Sequence, residues 1–336
     1  MHISMEKYSR QSILKEIGIS GQKKLFNSKV AIIGLGALGT VVSELLCRSG
    51  IGNLVLIDRD IVEENNLQRQ LLYNELDIGK SKALCAKEKL QKINSEILIH
   101  SFASDLNFKN INILLSGADV IIDCTDNLET RFLINDFCMK NNIPWIYGAA
   151  IKWAGTMLTI IPTKSPCLRC VMGNAKSGET CETAGIINSV SAVAASFQAN
   201  EAVKILLKIS YEKAMLRFNL LDNSFLKINV SKKKSCPVCN GNYEYLSGKK
   251  SSKPSKLCGK SLYQITPEKL MGQKEFILLK KRLSSLAKAQ KIENSFQDYK
   301  VCIKFKELTI FKDGRTLIKA EDEKKAKSLY SRFIGN

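Results

Sequence analysis

Apolar positions fall into two rhythms over the first two thirds of the chain. Short, continuously apolar runs rich in β-branched residues read as strands buried on both faces: VAII at 30–33, LVLI at 54–57 and VIID at 120–123. Between the first two, residues 37–48 place Leu38, Val41, Val42, Leu45 and Leu46 on one helical face. The same rhythm predicts helices over 81–93, 129–141 and 190–209, and strands over 97–102, 143–147, 155–161, 214–221 and 225–230. A short helical segment carries Arg10 near the start. This alternation predicts an α/β domain over residues 1–245, built on a Rossmann-like, doubly wound sheet. Residues 246–256 include SGKKSSKPSK, a Ser/Lys-rich linker composition. Residues 257–336 then read as a small α+β module, with strands at 261–265, 300–305 and 308–312 and helices at 275–290 and 321–333. FKDGR at 311–315 reads as a hairpin turn on Asp-Gly.

Charge sharpens the division. Residues 246–336 hold 22 Lys+Arg against 9 Asp+Glu, a balance of +13, and the rest of the chain supplies the remaining +6 of the net +19. A basic module attracts acidic proteins or nucleic acid, and it equally reflects solvated lysine faces, which is the reading adopted. No basic motif is interleaved with aromatic residues, so nucleic acid is not an expected partner. No apolar run is long enough to span a bilayer, the start does not read as a signal peptide, and the 11 cysteines are odd in number. A cytoplasmic protein with reduced thiols is expected.

The chemistry gathers at strand ends. After the first strand comes Gly34-x-Gly36-x-x-Gly39. The first glycine permits a tight turn, the second lets backbone approach phosphate, and the third lets helix pack on strand. Asp58, ending the second strand, falls where a carboxylate binds ribose hydroxyls. These features do not separate NAD from ATP. Arg69 and Lys82 favour ATP, because two cations beside the phosphates stabilise a leaving pyrophosphate; each also reads as an ordinary surface cation. Asp126 and Asn127, after the third strand, can meet Mg²⁺ or ribose. Asp123 is the competing metal candidate, and Asp126 also reads as a helix N-cap. His2 and His100 offer no catalytic base.

Cysteine spacing adds a separate signal. Cys167-x-x-Cys170 and Cys236-x-x-Cys239 have zinc-knuckle spacing, and four thiolates make a closed structural Zn²⁺ site. Cys47, Cys85, Cys124 and Cys138 lie in apolar periodic segments and read as core. Cys181 stands apart in GETCETAGIIN, which reads as a mobile crossover loop.

Together YSRQ (8–11), GLGALG (34–39), LIDRDIVEENNLQRQ (56–70), GKSK (79–82), CTDN (124–127) and the cysteine pairs resemble the ThiF/MoeB/HesA group over residues 5–245. These are bacterial relatives of ubiquitin-activating enzymes. The resemblance implies adenylation of the C-terminal glycine of a ubiquitin-like sulfur carrier ending in Gly-Gly, with Mg-ATP consumed and pyrophosphate released. It implies that Asp58 binds the ATP ribose, that Asn66, Arg69 and Lys82 contact the phosphates, and that Asp126 holds Mg²⁺. It implies a homodimer in which Arg10 reaches the ATP site of the other subunit. Cys181 either links covalently to the carrier's sulfur, as in ThiF-like members, or is dispensable for adenylation, as in MoeB-like ones. CETAGII and ASFQANEAVKILL are similar to the Gram-positive ThiF type. Thiamine thiazole synthesis is therefore the expected pathway, with molybdopterin synthesis as the alternative and a cysteine desulfurase as a suitable sulfur donor. The tail resembles the C-terminal extension of the same proteins.

Overall fold

The computed structural model describes residues 5–173, 181–250, 262–265, 267, 271–289, 296–299, 302–312 and 314–334. It divides into two compact units: residues 1–78 with 82–251, and residues 252–336 with 79–81.

The first unit is built on one sheet of eight strands: β1 (Lys29–Ile33), β2 (Asn53–Ile57), β3 (Leu98–Phe102), β4 (Val120–Asp123), β5 (Trp145–Ile151), β6 (Ala154–Ile160), β7 (Met215–Asn219) and β8 (Ser224–Ile228). Their order is β3-β2-β1-β4-β5-β6-β7-β8. The pairs from β3 to β5 are parallel, and those from β5 to β8 are antiparallel. The chain leaves β1 toward β2 on one side, while β4 adds on the other. The carboxyl ends of β1 and β4 therefore flank the switch point, where open α/β sheets bind ligands.

Helices cover both faces. They are α1 (Ser9–Ser12), α2 (Gly18–Phe26), α3 (Ala37–Arg48), α4 (Lys82–Ile93), α5 (Ile111–Leu114), α6 (Leu128–Asn141), α7 (Leu168–Met172), α8 (Cys181–Ala184) and α9 (Asn188–Leu207). The two-faced burial follows from alternation within single strands. Val30 and Ile32 join the core with α3, α4 and α9, whereas Ala31 and Ile33 join the opposite core with α5 and α6. Cys47, Cys85, Cys124 and Cys138 are all buried, as their apolar setting predicts.

β5 runs four residues beyond its predicted end. The extension, Gly148–Ile151, begins with three small residues of little strand propensity, Gly148, Ala149 and Ala150, and packing overrides that weakness. A Cβ on Gly148 would stand 2.4 Å from Cδ of Gln198 on α9. That side chain donates from Nε2 to Asp123 O at 2.8 Å and to Ile146 O at 3.3 Å, locking α9 across β4 and β5.

The second unit has five antiparallel strands, β9 (Leu262–Ile265), β10 (Phe296–Tyr299), β11 (Cys302–Phe305), β12 (Leu308–Phe311) and β13 (Thr316–Lys319), in the order β10-β11-β12-β13-β9. Helices α10 (Gln273–Ala289) and α11 (Glu323–Phe333) cover one face, with Phe276, Leu283 and Phe333 packed on Phe305, Ile310 and Ile318. The β12–β13 hairpin closes by Phe311 N–H to Arg315 O at 2.8 Å, and Gly314 takes φ +86°. Asp313 of the predicted turn lies outside the described residues, as do linker residues 251–256. The strands β10 and β13 go beyond the predicted elements: four residues each, with FQDY largely polar, give too short a pattern to read.

Candidate nucleotide site and cysteine cluster

The glycine turn joins β1 to α3 beside the end of β4. Gly34 has φ +87°, and a Cβ there would stand 2.6 Å from Cys124 O. A Cβ on Gly39 would stand 1.9 Å from Gly34 O. Only glycine fits either place. Gly36 differs: a Cβ there would find one heavy atom within 4 Å, Nε2 of Gln70 at 3.7 Å. The space above Gly36, at the start of α3, is left open where helix N–H groups welcome an anion.

Asp58 follows β2 and braces this turn. Its Oδ2 accepts Leu35 N–H at 2.6 Å, and its Oδ1 accepts Asp60 N–H at 2.7 Å. Burial pushes its carboxyl pKa up, while Lys82 opposes that shift. Lys82 opens α4; it is 7% exposed, with Nζ 3.9 Å from Asp60 Oδ2. The Tyr73 hydroxyl lies 3.0 Å from Leu35 O and 3.2 Å from Lys82 O. Its single proton ties the turn to the start of α4. Asn66 is buried in a 3₁₀ turn, Glu64–Asn66, where its Oδ1 accepts Glu63 N–H at 3.2 Å. Arg69 is held by Nη1 donating to Asn65 O at 2.8 Å. The structure thus brings Gly34, Gly36, Gly39, Asp58, Asn66, Arg69 and Lys82 to one edge of the sheet.

The two aspartates after β4 part company. Asp123 is fully enclosed, and its Oδ1 accepts the Thr125 N–H at 2.9 Å and hydroxyl at 2.7 Å. Its Oδ2 lies 3.5 Å from Arg131 Nε. Burial raises its pKa against that cation. Asp126 is exposed. The α6 cap is Asn127, whose Oδ1 accepts Thr130 N–H at 2.9 Å, so Asp126 is not spent on capping. Arg59, bonded to Asp105 at 3.0 Å, also senses the Asp126 charge. Arg10 lies exposed on α1, and among the described residues no hydrogen bond or ion pair joins it to this edge.

Sequence reasoning assigned no role to Gln70 or Tyr73. Gln70 is 4% exposed with its Oε1 unpaired. A polar residue inside NLQRQ, ahead of an apolar LLY, was its only signal.

The cysteine pairs converge. Sγ–Sγ distances are 3.9 Å for Cys167–Cys170, 3.5 Å for Cys167–Cys236, 3.5 Å for Cys170–Cys239 and 3.6 Å for Cys167–Cys239. A tetrahedron of thiolates at a Zn–S distance of about 2.3 Å has edges of about 3.8 Å. The group is compatible with zinc, and four sulfurs leave no open position.

Cys181 begins α8, and its side chain lies outside the described residues. The segment after it is anchored: Lys152 N–H donates to Gly185 O at 2.8 Å and Ile187 N–H to Lys152 O at 3.1 Å. Gln68 Nε2 donates to Ile186 O at 3.4 Å, so this segment borders the 66–70 stretch.

Comparison with known proteins agrees with this geometry. The ThiF family profile matches residues 8–238. The sulfur carrier protein ThiS adenylyltransferase of Bacillus subtilis is 37% identical over 344 residues, covering 98% of this chain and 99% of that protein. The Escherichia coli enzyme of the same name is 36% identical and covers 70% of this chain and 95% of its own. Among solved structures, E. coli MccB with ATP superposes with a TM-score of 0.62 at 28% identity, covering 70% of this chain and 75% of that one. The chain belongs to the ThiF family and is an adenylyltransferase.

Proposed function

We propose that this protein uses ATP to adenylate the C-terminal glycine of a ThiS-like sulfur carrier for thiamine thiazole synthesis. The observation that carries the reading is the open place over Gly36, at the start of α3 and the switch point of the sheet. It is supported by the named activity of relatives that match nearly their full length.

A carboxylate is a poor electrophile, and joining it to AMP activates it. The carboxylate oxygen attacks the α-phosphorus, the α–β phosphoanhydride bond breaks, and pyrophosphate leaves with the electron pair. The chain's part is to align these groups and neutralise phosphate charge. The α3 N-terminus faces the phosphates, Arg69 and Lys82 supply cations, Asn66 adds a polar contact, and Asp58 accepts ribose hydroxyls. Asp126, exposed after β4, would hold Mg²⁺, which would supply positive charge to the phosphates. Zinc in the four-cysteine group is structural. A second subunit would supply Arg10. Cys181, at the start of α8 and ahead of the anchored 185–187 segment, would serve the later sulfur-transfer stage, with a cysteine desulfurase as donor. We assign residues 1–245 to adenylation, 246–256 to a linker and 257–336 to a separate basic module. Among the described residues no helix is long and apolar enough to cross a membrane, and we place the protein in the cytoplasm.

The test is carrier-dependent exchange of labelled pyrophosphate into ATP. Exchange is expected with a thiazole-pathway carrier ending in Gly-Gly. Exchange with a molybdopterin-pathway carrier alone would reassign the pathway, and exchange with neither would refute the reading.

A further inference from the structure

Gln70 is a buried group at the nucleotide edge whose side-chain hydrogen bonding is incomplete among the described residues. Its backbone N–H is used, donating to Asn66 O at 2.9 Å. Its side chain is 4% exposed, yet Oε1 is enclosed with no partner among the described residues. Its Nε2 lies 3.7 Å from the place a Cβ on Gly36 would occupy, and among the described residues no other heavy atom beyond Gly36 and its chain neighbours comes within 4 Å of that place. An enclosed amide oxygen without a partner is a net cost to the fold, and an alkyl side chain of similar size would avoid it. Two observations thus meet at one point. A twelve-residue helix, α3, opens beneath an empty space, and an incompletely bonded amide forms its wall.

The chemistry of that space names the ligand. An anion over Gly36 needs donors, which the helix N-terminus and one amide N–H supply. A peptide end brought to the α-phosphate carries a backbone N–H directly beside its carboxylate, and that donor needs an acceptor. A carboxamide offers both kinds of group in one plane.

We propose that Gln70 is a substrate-binding residue of adenylyl transfer. Its Nε2 donates to an α-phosphate oxygen, and as substrate enters the amide turns toward Gly36 so that Oε1, enclosed without substrate, accepts the N–H of the glycine being activated. The amide holds attacking carboxylate and phosphorus in register. The proposal rests on the adenylation reading above.

Two variants of the full-length protein test it. Gln70→Leu removes both contacts while filling the same volume. We expect kcat for carrier-dependent pyrophosphate exchange to fall about 10–100-fold, KM for the carrier to rise, and the melting temperature to hold or increase. Gln70→Glu keeps the acceptor and loses the donor at neutral pH. Its rate relative to the unmodified protein should recover as pH falls from 8 to 6, because the protonated carboxyl regains a donor. Wild-type exchange rates and carrier KM in Gln70→Leu would overturn the proposal. So would parallel losses of melting temperature and activity with an unchanged pH profile in Gln70→Glu. ATP affinity by calorimetry separates the two readings. If the unmodified protein binds ATP but exchanges with no carrier, the adenylation reading fails alone. Gln70 is then judged on ATP affinity: a loss of about tenfold in Gln70→Leu supports the phosphate contact, and equal affinity refutes it.

Discussion

The two sides of the glycine turn are made differently. Beneath the turn, every position is dictated by the protein itself. Gly34 abuts Cys124 O, Gly39 abuts Gly34 O, and Asp58 and Tyr73 bind the Leu35 amide and carbonyl. Above the turn, the protein stops short. Gly36 has open space, Gln70 an unpaired oxygen, and Asp126 an exposed carboxylate. Residues below are bonded to neighbours in the fold, and residues above are the ones the proposed nucleotide would complete. The cysteine cluster is closed on itself like the first group, with four sulfurs within 4.8 Å of one another and compatible with zinc.

The sharpest way to test that division is Gly39→Ala. No flexible side chain can yield there, because the obstacle is backbone at 1.9 Å. We expect a loss exceeding about 3 kcal/mol and failure to accumulate as soluble protein. A folded variant with a normal melting temperature would show that the underside is not rigid.

Cys236→Ser ranks next. Removing one of four thiolates opens the site, and zinc measured by elemental analysis should drop from about one ion per chain toward none. With structural zinc contributing directly to folding, the melting temperature should fall by about 6–12 °C, corresponding to about 3 kcal/mol. Unchanged zinc content would reject the four-cysteine site.

On the open side, effects should fall on rate alone. Asp126→Ala should slow carrier-dependent exchange by about 10²–10³-fold while leaving the unfolding midpoint within about 1 kcal/mol of its original value. A variant that unfolds early would move Asp126 to the other side of the comparison. Gly36→Ala is the direct counterpart of Gly39→Ala. Its Cβ makes only an ordinary contact with Gln70. The fold should survive, and nucleotide binding or exchange should weaken about 100-fold because a methyl fills the phosphate's place. Full activity in Gly36→Ala would mean that no phosphate approaches there.

Much of the underside was legible in the sequence. VAIIG, LVLID and VIID are long enough, and apolar enough, to be read as central strands, and the spacing of Gly34, Gly36 and Gly39 orders strand, turn and helix. Spacing likewise paired Cys167 and Cys170 with Cys236 and Cys239 across 65 residues. What escaped is set by contacts distant along the chain. Gln70 acquires meaning only where it meets Gly36, and the choice between Asp123 and Asp126 turns on which one Thr125 and Arg131 enclose. The extension of β5 depends on Gln198, 50 residues beyond Gly148. The α6 cap fell to Asn127 rather than Asp126, a one-residue difference that propensity cannot resolve, because both residue types cap well.

The smallest expected effect tests whether the framework side is as fully satisfied as it looks. Asp136 on α6 is fully enclosed and accepts the backbone N–H groups of Tyr245 at 2.9 Å and Leu246 at 3.4 Å. These residues follow the second cysteine pair. Burial pushes its carboxyl up to about 6, and the two N–H donors and Arg169 offset only part of that rise. The native state therefore holds its proton more tightly than the unfolded chain, whose aspartate titrates near about 3.9. Because the native state binds more protons between those values, this group makes the protein less stable as pH rises from about 4 to 6, and the full cost persists at pH 7. A shift of about two units corresponds to about 2–3 kcal/mol. Asp136→Asn keeps one acceptor and removes the titration. Denaturant unfolding of both proteins at pH 4.5, 6 and 7.5 should show the stability difference moving in the variant's favour by about 2 kcal/mol across the series. A constant difference would mean that the carboxylate is fully compensated at neutral pH, and that Asp136 is as settled as the backbone under Gly39.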